Sequence, residues 1–169
     1  AAAESGESLE DIFKITSEAN NNIRTLGVAL SPCILPEAGK PTFEIKDDEI
    51  EIGMGIHGEP GIKREKLKPA NNLVDDLYKR IIEDSKLKAN DNVAIMINSL
   101  GATPLEELYI ISKRVHENFS KLKIKITKSY VGRYATSMEM AGMSITVFKL
   151  DSELKKYLLT PSDCPFWYN

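Results

Sequence analysis

Four of the ten glycines and one of the two histidines in this 169-residue chain fall within Glu51-Ile-Gly-Met-Gly-Ile-His-Gly-Glu-Pro-Gly61. A histidine with its reference pKa of about 6.5 is neutral at pH 7, and its free ring nitrogen can attack an electrophile such as a carbonyl carbon or a phosphoryl group. That makes His57 the candidate nucleophile. From Ile50 to Ile56 the apolar residues alternate, so Gly53 and Gly55 share a strand face with His57, and Gly58 follows it. Such glycines leave a bare backbone floor where a small ligand can reach main-chain N–H and C=O groups, which makes Gly53, Gly55 and Gly58 candidate substrate-binding positions. A histidine closing a glycine-rich strand is equally compatible with a capped structural role, and periodicity does not separate the two.

Other chemistries find less support. There is no glycine-rich turn followed by Lys-Ser or Lys-Thr to cradle a phosphate, and Gly53 to Gly61 leads into a proline turn rather than a helix. No second histidine or cysteine stands at metal-ligand spacing from His57, so a metal would have to borrow Glu51 or Glu59, and no metal site is expected. Neither Ser31 nor Ser99 has the context of a hydrolase nucleophile.

The elements that must position His57 follow from periodicity. Ser8 and Asp11 read as a capping box for a helix whose apolar stripe runs from Leu9 through Ile23 and Leu26 to Gly27 as C-cap. Val28 to Leu30 reads as a short strand. Phe43 and Ile45 then form one arm of a hairpin, and Ile50 to Ile56 the other. Lys63 to Lys68 reads as a solvated charged loop, and Pro69 as the start of a second helix carrying Leu73, Val74, Leu77, Ile81 and Ile82. The continuous run Val93 to Ile97 is the pattern of an interior strand. Thr103-Pro-Leu-Glu106 reads as a capping box for a third helix with Leu105, Leu108, Ile111, Val115 and Phe119 on its buried side. His116 falls off that stripe, as a surface histidine. Strands near Ile124 to Val131 and Met143 to Leu150 are expected as antiparallel neighbours, and Asp151 caps a last short helix before an aromatic tail. This tally predicts an α/β two-layer sandwich, a mixed sheet of about six strands with helices on one face.

The length suits one domain, with residues 1–7 a linker or cut end and residues 8–169 the folded unit. A net charge of −3 with mixed signs argues against nucleic-acid or anionic-membrane binding, and the absence of a long apolar run or signal peptide predicts a cytoplasmic protein with no membrane partner. Cys33 and Cys164 read as unpaired thiols.

The run Gly53-Met-Gly-Ile-His-Gly-Glu-Pro-Gly61 is preceded by Gly27-Val-Ala-Leu-Ser-Pro-Cys-Ile-Leu-Pro36. It is followed by Asn98-Ser-Leu-Gly-Ala-Thr-Pro104 and Gly132-Arg-Tyr-Ala-Thr-Ser-Met-Glu-Met-Ala-Gly142. Together these resemble the back half of the substrate-binding subunit of dihydroxyacetone kinase, the DhaK family. The resemblance implies that His57 adds to the ketone carbon of dihydroxyacetone as a covalent hemiaminal. It further implies that this is the second domain of a two-domain fold shared with DegV-like proteins, with the front domain absent. It puts the nucleotide and its Mg on a partner kinase subunit or domain, leaving no cofactor in this chain, and makes a homodimer plausible. The front domain carries the remaining pocket residues in that family, so the isolated chain is expected to bind dihydroxyacetone weakly or not at all. A non-catalytic dihydroxyacetone sensor acting as a transcriptional co-activator is the main alternative, and a phosphohistidine carrier a further one.

Overall fold

Between Asn92 and Ser99, alternate residues of an apolar run must face both ways, so the strand they form is stable only with cover on both sides. Val93, Ile95 and Ile97 are fully buried on one face, while Ala94, Met96 and Asn98 turn to the other. The computed structural model describes residues 1–56, 61–165, 167 and 168. The elements in chain order are α1 (Leu9–Asn21), β1 (Ile23–Ala29), β2 (Glu49–Ile52), β3 (Lys63–Lys66), α2 (Ala70–Ser85) and β4 (Asn92–Ser99). They continue as α3 (Leu105–Lys121), β5 (Lys125–Gly132), β6 (Gly142–Leu150), α4 (Ser152–Leu159), β7 (Asp163–Cys164) and β8 (Trp167–Tyr168).

Among the described residues the main sheet has six strands in the order β3-β2-β1-β6-β4-β5. β4 and β5 are parallel and joined through α3, while β6 runs antiparallel to both β1 and β4, which makes the sheet mixed. α2 and α3 form the expected helical layer. Leu73, Val74, Leu77 and Ile81 of α2, with Leu108, Val115 and Phe119 of α3, pack against Val28, Ile50, Ile52, Val93, Ile95, Ile97 and Ile145. The Asp75 carboxylate fastens the two helices together by accepting from Arg114 at 2.6 and 2.8 Å and from Asn118 at 2.6 Å. Contrary to the expected helices on one face, α1 and α4 add a partial third layer on the opposite face, over Ala94, Phe148 and Leu150 through Ile15, Ala19, Leu154 and Leu158. Among the described residues no helix covers the other end of that face, and the candidate site lies there.

Several expectations change. α1 ends at Asn21, with the Asn22 amide donating to the Glu18 and Ala19 carbonyls, and Ile23 and Leu26 belong to β1 rather than to the helix. Three successive asparagines favour the stop, and the β-branched residues that follow favour extended chain. Gly27 is therefore no C-cap. β2 ends at Ile52 and pairs with β1 and β3, not with a strand at Phe43 to Ile45. Its partner β3 lies in the charged run expected to be a loop. An edge strand needs no apolar face when its outer side meets water, and Lys63 and Lys66 are exposed there. β5 and β6 are not neighbours, because β4 lies between them. The Thr103 hydroxyl accepts from the Gly142 amide at 2.9 Å, and α3 starts without a side-chain cap. The caps read at Ser8 and Asp151 are present, Ser8 accepting from the Asp11 amide and Asp151 from the Leu154 amide. Cys33 and Cys164 are unpaired, and His116 is exposed.

Candidate functional site

On the face away from α2 and α3, the uncovered ends of β1, β6 and β4 present short side chains. Thr25 and Gly27 come from β1, Ser144 and Thr146 from β6, and Met96 and Asn98 from β4. With the segment Gly53 to Ile56, Leu100 and Ala135 they line a groove of about 380 Å³. The Thr25 and Thr146 hydroxyls, cross-strand partners in register, stand 2.8 Å apart. Among the described residues no ionisable side chain lines the groove. Three hydroxyls, of Thr25, Ser144 and Thr146, stand among Leu26, Met54, Ile56, Met96 and Leu100, a mainly apolar lining with a few polar groups that suits a small uncharged ligand.

The edge segment is held from two directions. Gly53 turns the chain off β2 with φ of +84°, and its amide donates to the Gly27 carbonyl at 2.7 Å. A side chain there would meet Ile62 at 2.9 Å, so the position suits glycine on both counts. Met54 is buried in a small second core with Ala29, Cys33, Leu100 and Met140, leaving Gly55 and Ile56 at the groove. Gly53 and Gly55 border the groove from the segment after β2, not from a strand face as the alternation predicted, because the strand ends at Ile52. His57 and Gly58 fall outside the described residues.

The Gly61 amide donates to the Glu51 carboxylate at 2.8 Å, and Arg64 reaches the same carboxylate at 2.7 and 3.2 Å. Burial pushes the Glu51 carboxyl up, but the hydrogen bonds from Arg64 and Gly61 outweigh it and hold it below its ordinary value. Glu51 therefore ties the far end of the segment back to β2. It is a structural carboxylate.

Asn98, only 2 % exposed, organises the opposite wall. Its Oδ1 accepts from the Tyr134 and Ala135 amides at 2.8 and 2.9 Å, while its Nδ2 donates to the Ala135 carbonyl at 2.7 Å and to Ser144 Oγ at 3.3 Å. One amide side chain thereby fixes the loop after β5 against the groove. Sequence reasoning assigned no role to Asn98, Thr25, Ser144 or Thr146. The available signal was a polar residue closing an apolar strand at its carboxyl end, where ligand crevices of parallel strands lie.

The Dak1 domain model matches residues 1–166. The chain belongs to the Dak1 domain family. It is 50 % identical over 153 residues to the PTS-dependent dihydroxyacetone kinase 1, dihydroxyacetone-binding subunit DhaK of Listeria innocua, covering 90 % of this chain and 46 % of that protein. The chain spans about half the length of the DhaK subunits it matches. Among solved structures, the dihydroxyacetone kinase operon co-activator DhaQ superposes with a TM-score of 0.89 at 32 % identity, over 95 % of this chain and 50 % of that one. A fatty-acid-binding protein of Thermotoga maritima, TM841, shares the fold with a TM-score of 0.58 at 8 % identity, over 88 % of this chain and 51 % of that one. The α/β fold and the family inferred for this Dak1 domain are thus both established.

Proposed function

We propose that this Dak1 domain is the histidine-bearing part of a dihydroxyacetone kinase, holding dihydroxyacetone on His57 while a partner subunit or domain phosphorylates it to dihydroxyacetone phosphate. A free ring nitrogen of His57 forms a bond to the ketone carbon. The C=O π pair moves to oxygen, which takes up a proton as the other ring nitrogen gives one up, leaving a hemiaminal. Glycerol has no carbonyl to accept the imidazole, so covalent capture separates two molecules that a pocket of hydrogen bonds would separate poorly. The partner supplies the nucleotide and Mg, and with them the in-line donor and the charge neutralisation that phosphoryl transfer needs.

The observation that carries this reading is the uncharged, hydroxyl-lined groove edged by Gly53 to Ile56, the residues directly before His57 in a chain 50 % identical to a dihydroxyacetone-binding subunit. A groove open along one side also fits a pocket completed by a front domain, as does a match to half of each relative's length. A cytoplasmic homodimer is part of the same reading. No helix is long and apolar enough to cross a membrane among the described residues.

Gentle intact-mass measurement after incubation with dihydroxyacetone, with and without the front domain, tests it. A mass gain that requires the front domain and disappears in His57→Ala supports the hemiaminal. No gain, together with a crystal soak showing nothing on His57, overturns it. The likeness to the DhaQ co-activator favours a second reading, in which the same histidine senses dihydroxyacetone without turnover. An adduct on His57 with no phosphorylation by any nucleotide-binding subunit would select the sensor.

A further inference from the structure

The C-terminal hairpin returns to the sheet beside the groove. β7 and β8 pair with each other, Asp163 opposite Tyr168 and Cys164 opposite Trp167. Trp167, the only tryptophan of the chain, packs its ring against two tyrosines, 4.7 Å from the Tyr130 centroid and 5.4 Å from that of Tyr134. The two tyrosines meet edge to face at 6.4 Å. Tyr130 is anchored in β5. Tyr134 is not part of a strand but opens the loop that forms one groove wall.

Three observations connect the tryptophan to that wall. Gly132 leaves space for Tyr134, since a Cβ there would stand 3.2 Å from its ring. Gly132 is also in register with Asn98 on β4. The backbone amides of Tyr134 and Ala135 both donate to Asn98 Oδ1, and Ala135 lines the groove. The same two residues are thus gripped by Asn98 from the sheet side, while Trp167 bears on the Tyr134 ring. The three hydrogen bonds of the Asn98 amide hold the Tyr134 and Ala135 main chain but leave rotation about the Tyr134 Cα–Cβ bond free. The indole packed on the Tyr134 ring restrains that rotation and braces the loop through its side chain.

We infer that Trp167 is a positioning residue for the groove, a strap that holds the Tyr134–Ala135 wall in register with Asn98. That the wall faces a ligand rests on the dihydroxyacetone reading above; the mechanical coupling does not. Trp167, within the tail Pro165-Phe-Trp-Tyr168, then has a use that composition alone did not reveal.

Amide hydrogen exchange on the wild-type chain, Trp167→Ala and Trp167→Phe tests the coupling. Exchange at Tyr134 and Ala135 is expected to rise about tenfold or more in Trp167→Ala and to return close to wild type in Trp167→Phe, which keeps a ring in place. Amides of the β4 interior, Ile95 and Ile97, should be unchanged. Unchanged exchange at Tyr134 and Ala135 overturns the inference, and so does a rise shared equally by β4, which would mark Trp167 as a residue of general stability. In the complete kinase, Trp167→Ala should raise KM for dihydroxyacetone about tenfold and leave kcat within about twofold, the loss being one of binding geometry. An unchanged KM beside an active wild type overturns it as well. A wild-type enzyme without turnover or adduct would count against the dihydroxyacetone reading alone, because the exchange result still decides the strap.

Discussion

The amide of Gly53 donates to the carbonyl of Gly27 at 2.7 Å, joining the end of one strand to the middle of its neighbour directly below the groove. A Cβ on Gly27 would stand 2.9 Å from the Met54 carbonyl oxygen, a backbone atom that cannot swing aside. Gly27 is therefore a close-approach glycine rather than a flexible one. Gly27→Ala should push the Gly53 to Ile56 segment away from β1 and cost about 1–3 kcal/mol, the usual penalty of overpacking. Urea denaturation measures the loss, and any ligand affinity of the groove should fall with it. A variant as stable as wild type would mean that the segment is not held against β1.

Asn98→Ala removes the partner of two amides and one carbonyl in the loop after β5. The expected loss is about 1–3 kcal/mol, because groups that lose a buried partner must find water or remain unpaired. Exchange at the Tyr134 and Ala135 amides should accelerate more than at any amide of β4. Equal acceleration everywhere would show only a weaker domain.

The Glu51 carboxyl lies below its ordinary value in the folded chain, so its ionised form binds Arg64 and Gly61 more strongly than its protonated form does. Its contribution to stability is complete above the unfolded value of 4.5 and is lost as pH falls through the lowered folded value. Glu51→Gln should be less stable than wild type at pH 7 by about 1 kcal/mol, with Arg64 half-exposed and its pairing weakened by solvent. The difference should shrink below pH 4 as the wild-type carboxyl takes up its proton. A gap that stays constant from pH 7 to pH 3 would rule out ionisation of Glu51 as its source.

Thr103 serves Gly142 and not the start of α3. Thr103→Ser keeps the accepting hydroxyl and should be close to neutral. Thr103→Val leaves the Gly142 amide without that partner and should cost about 1–2 kcal/mol. Helix content by circular dichroism should be unchanged in both folded variants, whereas a true N-cap would lose helix with Val.

What the sequence by itself determined is what repeats over short distances or is spelled out as a motif. The stripe of α2, that of α3 from Leu108 onward, the apolar run of β4 and the caps at Ser8 and Asp151 were legible because each is decided within a few turns or residues, whereas Leu105, read as part of the α3 stripe, is exposed in the first turn. The family was legible because His57 and its glycines stand in an unusual run. Tertiary structure alone decided which strands touch. Lys63 to Lys66 carries no apolar period, and becomes a strand because Glu49 to Ile52 offers it an unpaired edge. Met143 to Leu150 follows the 125–132 strand in sequence yet enters the sheet two places away, since β4 must be covered on both sides. Asn98 and Trp167 show the same limit at the site. An asparagine and an aromatic tail have no periodic signature, and the hydrogen bonds and ring contacts that give them a role join residues more than 30 positions apart in sequence. Such contacts form only after the local elements have packed, because each must offset the entropy of closing a long loop.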